Sequence, residues 1–163
     1  MSETVVFRDA LLVDPATGQE GQGALLAEDG AIADVVWGSP PGMPGVAKQV
    51  DCGGHVLAPG LVDIGVTVGE PGARHLESVR SAGRAAAAGG VTTIAVQPAT
   101  APPVDDPAII EFIQRRAAES TQVRVAVIGA LTKGLQGREM AEIGLMQDAG
   151  AVAFGDAHPA AAD

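Results

Sequence analysis

The spacing of apolar and polar positions changes once along the chain. Up to about residue 57, apolar residues come in short runs broken by turn formers. Thr4–Phe7, Leu11–Val13, Ala24–Ala27, Ile32–Trp37 and Val50–Leu57 have the β-branched and apolar character of strands. Asp14-Pro15-Ala16-Thr17-Gly18 and Glu28-Asp29-Gly30 supply turns between them. The stretch Gly38–Gly45 is too rich in Pro and Gly for regular structure and predicts a surface loop. Residues 1–57 therefore predict a small, sandwich-like β domain.

From residue 58 to 163 the pattern alternates between strand and helix periods. Apolar strands are predicted at 61–67, 91–97, 123–129 and 151–155, with starts about 30 residues apart. Between them, residues 75–88 place Leu76, Val79, Ala82 and Ala86 on one helical stripe that stops at Gly89-Gly90. Asp106 caps a second helix with Pro107 in its first position and Ile109, Ile110, Phe112, Ile113 and Ala117 inward. Residues 138–149 predict a third helix, with Met140, Ile143 and Met146 inward and Gly150 at its end. Strands apolar on both faces and alternating with helices imply a parallel sheet covered by crossover helices. A doubly wound sheet and a (β/α)8 barrel both produce this pattern. A complete barrel takes roughly 250 residues, so a barrel parent would be only half represented. Half a barrel leaves two strand edges and an apolar interior uncovered, which predicts an oligomer, an open sheet or a longer parent protein.

Composition narrows the function classes. The core must rely on Ala, Val, Ile and Leu, because aromatic residues make up 2% of the chain. A formal charge of −10 repels phosphate backbones and argues against nucleic acid as a partner. The single cysteine, Cys52, permits no intrachain disulfide, which fits a reducing compartment. No apolar run reaches the roughly 18 residues of a membrane span, and MSETVVFRDA has no signal-peptide pattern. The expected location is the cytoplasm.

In parallel α/β folds the reactive groups gather at the C-terminal ends of the strands. There the chain offers Asp63 and Glu70, then Gln97, Thr100 and Asp105, then Thr132 and Lys133, and finally Asp156 with His158 close by. His55, His75 and His158 are too widely spaced to make a metal site by local pairing. Cys52, His55 and His75 are read as structural, and Lys133 as a solvated surface residue. No phosphate-binding glycine loop and no Ser-His-Asp arrangement stands out. These residues by themselves describe a scaffold with nearly empty strand ends.

The segments VLAPGLVDIGVTVGEPG, GRAAAAGGVTTIAVQPAT and ALTKGLQGREMAEIGLMQDAGAVAFGD resemble successive βα units of dihydroorotases and related cyclic amidohydrolases. LLVDPATG and the Ala58-Pro59-Gly60 turn resemble that family's small β domain. The resemblance implies the N-terminal portion of such a protein: a small β domain followed by the first half of an amidohydrolase-type (β/α)8 TIM barrel. It also implies which positions carried chemistry. The family has Asp-x-His-x-His at its first strand exit, where the histidines bind zinc; here Asp63 is kept and Gly65 and Thr67 take the ligand positions. The family's substrate-gripping Arg is replaced by Gly69, while Glu70, Pro71 and Gly72 are retained. Its substrate-binding Asn, after the second strand, is replaced by Ala99. Asp156 matches a metal-ligand position used in one dihydroorotase class. The family's remaining histidines and catalytic Asp would fall beyond residue 163.

These replacements imply a non-catalytic type, with no metal cofactor expected. Family proteins of that type support aspartate carbamoyltransferase in pyrimidine synthesis, so that transferase, or self-association, is the expected partnership. The alternative is a diverged zinc-dependent cyclic amidohydrolase acting on dihydroorotate or carbamoyl aspartate, with its other ligands outside this sequence.

Overall fold

In the computed structural model, which describes residues 3–38 and 48–157, the first strand organises the N-terminal unit. Strand β1 (Thr4–Asp14) pairs antiparallel with β2 (Gln19–Glu28). The turn between them is fixed by Asp14, whose carboxylate accepts from Ala16 N (2.9 Å) and Thr17 Oγ1 (2.8 Å). Gly18 completes it at φ 72°, a conformation that favours glycine. Strand β3 (Ala31–Trp37) returns along β2 through Asp29 and Gly30, at φ 49° and 80°. Two successive positive φ values are the geometry of a tight hairpin turn. Strands β4 (Lys48–Asp51) and β5 (Val56–Leu57) run parallel to β1, giving the order β3-β2-β1-β4 with β5 also on β1. Val6, Ala10, Leu12 and Ala24 form its buried centre.

Two sequence readings change here. The predicted strands Thr4–Phe7 and Leu11–Val13 are one strand, with an irregularity between Phe7 and Ala10 where Asp9 sits at φ 53°. The predicted strand over 50–57 is instead divided into β4 and β5. Gly53 and Gly54 turn the chain there at φ 54° and 77°. The Pro/Gly-rich loop predicted at 38–45 lies, apart from Gly38, outside the described residues.

The chain divides into one unit ending at Pro59 and a second beginning at Gly60. The second unit contains β6 (Leu61–Val66), α1 (Val79–Ala88), β7 (Val91–Val96), α2 (Pro107–Ser120), β8 (Arg124–Gly129), α3 (Ile143–Asp148) and β9 (Ala151–Phe154). Its four strands are all parallel, in the order β6-β7-β8-β9. Val79, Ile110, Ile113, Val127 and Met146 make the main core, and Val68, Ala82, Ile94 and Val96 a second cluster. Burying such side chains contributes roughly 1.5–3 kcal/mol each, which is what holds helices of modest length on this sheet. No helix among the described residues is long and apolar enough to cross a membrane.

Helix α2 follows its sequence signals: Asp106 accepts from Ala108 N (2.8 Å) and Pro107 opens the first turn. Helix α1 does not start at 75. Ser78 is the cap, in a reciprocal capping box with Ser81. Leu76 therefore precedes the helix and is exposed rather than buried. The third helix is also shorter than predicted. Met140 instead forms an isolated antiparallel bridge with Thr132, with Lys133 N bonded to Glu139 O (2.8 Å) and Ala141 N to Leu131 O (3.0 Å). These bonds withdraw Met140 from the helix and leave it 68% exposed, while Met146 is buried as predicted. On the outer strands Leu61, Val62, Ile64 and Val152 stay exposed, because β6 and β9 each have one neighbour in the sheet.

Candidate functional site

The first strand exit is formed by the end of β6 and the loop that follows. Asp63, Gly65 and Thr67 stand at every second position here, across a register irregularity between Asp63 and Val66 in the pairing of β6 with β7. All three are exposed. Asp63 Oδ1 accepts from Gly65 N at 2.9 Å. A Cβ built on Gly65 would meet only that oxygen, at 3.7 Å, so the position has open space around it. The neighbouring strand steadies the exit, with Gln97 Nε2 donating to Ile64 O (2.8 Å) and Gln97 N to Val66 O (2.9 Å).

Glu70 is turned away from solvent, 4% exposed. Its Oε2 accepts from Val79 N, at the start of α1, at 3.1 Å, and its Oε1 from Arg116 Nε, on α2, at 3.0 Å. Arg74 approaches the same oxygen at 3.6 Å. Burial pushes the Glu70 carboxyl upward, but the Val79 N–H and the Arg116 guanidinium, aided by Arg74, outweigh it. The carboxyl is thus held below its ordinary value, as an anion. Pro71 O accepts from Ala101 N at 3.2 Å, joining this loop to the one after β7.

At the second exit Pro98 is buried and Ala99 exposed, with a methyl group that can neither donate nor accept. Thr100 Oγ1 donates to Pro102 O (2.6 Å). The third exit connects sideways in both directions. Ala130 N bonds Val104 O (2.7 Å), and Gly134 N bonds the Asp105 carboxylate (2.7 Å). Lys133 is paired with Glu139 on the surface.

Asp156, at the fourth exit, is 7% exposed and belongs to this lateral network. Its Oδ1 accepts from Leu131 N (3.0 Å) and Thr132 N (2.9 Å), and its Oδ2 from Thr132 Oγ1 (2.6 Å). Burial raises its carboxyl, but these three donors prevail and hold it below the ordinary Asp value. The carboxylate thus fastens the loop after β8 to the end of β9. His158 lies outside the described residues.

Zinc sites use three or more converging protein ligands. Among the described residues no group of three His, Cys, Asp or Glu is placed to hold a metal. Gly65 offers no donor, and most of the Asp156 acceptor capacity is already engaged. By themselves, the described residues do not make up a zinc centre. Cys52 is partly buried in the N-terminal unit, and His55 Nδ1 lies 2.7 Å from Cys52 O in the same turn. His75 is exposed in the loop before α1.

Sequence reading did not anticipate the roles of Arg116 and Thr132. Arg116 reaches Glu70 across 46 positions, and Thr132 reaches Asp156 across 24. Separations of that size leave no local spacing to detect.

Known proteins carry the same framework. The chain is 41% identical over 156 residues to a dihydroorotase of Anaplasma phagocytophilum (strain HZ), covering 94% of this chain and 34% of that protein. It is 41% identical over 153 residues to a dihydroorotase-like protein of Pseudomonas putida, covering 94% of this chain and 36% of that protein. It thus spans about a third of the length of these relatives. Among solved structures, the L-hydantoinase (dihydropyrimidinase) of Arthrobacter aurescens superposes with a TM-score of 0.75 at 26% identity, covering 94% of this chain and 32% of that one. A D-hydantoinase shares the fold, with a TM-score of 0.63 at 18% identity. These likenesses decide between the two parallel architectures in favour of the amidohydrolase barrel, of which this chain carries the first four strands, preceded in sequence by a small β unit. With the dihydro-orotase-like family matching residues 54–160 in addition, the chain belongs to the dihydroorotase-like family.

Proposed function

We propose that this chain is the N-terminal portion of a non-catalytic dihydroorotase-like protein. In this reading it is a cytoplasmic component of pyrimidine biosynthesis that supports the assembly of aspartate carbamoyltransferase. One observation carries the proposal: the positions that would anchor zinc are Gly65 and Thr67, exposed beside Asp63, with no imidazole to bind a metal. Without a bound metal, no water is brought to a pKa near 7, and the nucleophile of cyclic amide hydrolysis is missing. Gly69 and Ala99 likewise leave no polar side chain to grip a substrate. The scaffold remains ordered around the vacated positions, as a partner protein requires. Self-association is the second partnership in this reading. Copurification tests the role: the transferase should come down with the tagged protein, and its assembly or activity should fall when the gene is deleted. An unchanged transferase in the deletion strain contradicts it.

A second reading is favoured by Asp156, kept at a family ligand position and held ionised. It describes a diverged zinc-dependent cyclic amidohydrolase that draws its other ligands from outside residues 1–163. Stoichiometric zinc together with hydrolysis of dihydroorotate would favour it over the first.

A further inference from the structure

The two vacated positions nearest the first strand exit differ physically. Gly65 stands in open space, whereas Gly69 is enclosed. A Cβ on Gly69 would lie 2.2 Å from Ala73 O, 2.7 Å from Ala73 C and 3.1 Å from Glu77 O. All three are backbone atoms, so no flexible side chain can swing aside to make room. The crowding carbonyls are themselves held. Gly69 N donates to Glu77 O at 2.8 Å, and Leu76 N to Ala73 O at 2.9 Å.

We infer that residues Gly69–Glu77 form a closed clamp that admits no side chain at position 69, because the space such a side chain needs is taken by the protein's own backbone. The clamp is anchored on three sides. Val68 and Glu70, flanking Gly69, are 1% and 4% exposed. The Glu70 carboxylate ties the loop to Val79 on α1 and Arg116 on α2. On the far side Ala101 N bonds Pro71 O at 3.2 Å, and a Cβ on Gly72 would lie 2.4 Å from Ala101 O. Any Cβ at 69 must therefore displace the Ala73 backbone and press on Glu77 O, which strains the Gly69–Glu77 bond and the approach to the α1 cap. The arginine that the family resemblance assigns to this position cannot return by substitution alone. The loop must first open. This inference concerns the loop's geometry: a zinc-loaded protein would overturn the proposed function and leave the clamp standing.

Amide hydrogen exchange on the purified chain tests it, read at residues 69 and 79 in wild type, Gly69→Ala and Gly65→Ala. Local opening sets such rates. The wild-type Gly69 amide should be protected. Gly69→Ala should accelerate both sites by about tenfold or more, and Gly65→Ala neither. Exchange in Gly69→Ala equal to wild type would overturn the clamp, as would an unprotected Gly69 amide in wild type. If Gly69→Ala yields no soluble protein, the wild-type Gly69 amide decides: slow exchange supports the clamp, and exchange at the rate of an unstructured peptide rejects it.

Discussion

Arg116 Nε lies 3.0 Å from Oε1 of Glu70, so an arginine on α2 fixes a carboxylate at the exit of the first barrel strand. Glu70 is nearly inaccessible, while the Arg116 side chain is 26% exposed and shares its charge with Glu119. Removing one partner of a buried pair costs about 3–5 kcal/mol when the other charge is stranded. Partial exposure of Arg116 places the cost of Arg116→Ala below that range. Chemical denaturation should show a lowered midpoint for Arg116→Ala with the slope unchanged. A midpoint equal to wild type would remove the pair from the account.

The same pair predicts how stability depends on pH. Glu70 has a folded-state pKa below its unfolded value, so the folded state releases its proton first. Its contribution is complete above the unfolded Glu value of about 4.3 and declines as pH falls through the lower, folded value. Glu70→Gln should therefore show a flatter fall in stability on acidification than wild type. Parallel curves for the two proteins would contradict the assignment.

Much of the architecture was legible in the sequence, and the misses have identifiable causes. The helix stripe at Ile110, Ile113 and Ala117 and the Asp106-Pro107 start were readable because local signals agreed with burial. The stripe that began at Leu76 failed because the Ser78 capping box begins the helix later. Met140 misled because the strand-like bonds of Glu139 and Ala141 to the preceding loop override helical spacing. At the candidate site, the motif Asp63–Gly72 located the first exit, but not that Gly65 is open and Gly69 enclosed. Nor could it show that Glu70 and Asp156 are engaged in fastening loops, since their partners are distant in the chain.

Thr132 and Asp156 provide a second stability test. Thr132→Val removes the charge-assisted hydrogen bond to Asp156 and the acceptor of Gly137 N, and the first loss alone should cost about 1.5–3 kcal/mol. Asp156→Ala leaves the Leu131 and Thr132 N–H groups and the Thr132 hydroxyl without their acceptor, so its effect should be larger. Thermal unfolding of both variants checks the order. Equal midpoints for the three proteins would show that the tether contributes nothing.

The open space at Gly65 and the exposure of Thr67 predict that imidazoles can be reinstalled there. The double variant Gly65→His, Thr67→His should fold and gain a zinc-dependent rise in thermal midpoint that wild type lacks. Binding confined to the folded state adds about 2.7 kcal/mol at a ligand concentration 100 times Kd. Differential scanning fluorimetry with and without zinc reads the shift. No zinc response in a correctly folded double variant would show that the exit geometry, and not only the missing histidines, excludes the metal.

In the proposed function, this chain carries the amidohydrolase framework without a metal centre. Elemental analysis of the purified protein, expressed in zinc-supplemented medium and dialysed free of loose ions, tests it most directly. The predicted result is zinc well below one per chain, with dihydroorotate left unhydrolysed. One firmly held zinc per chain, lost together with activity on chelation, would contradict it.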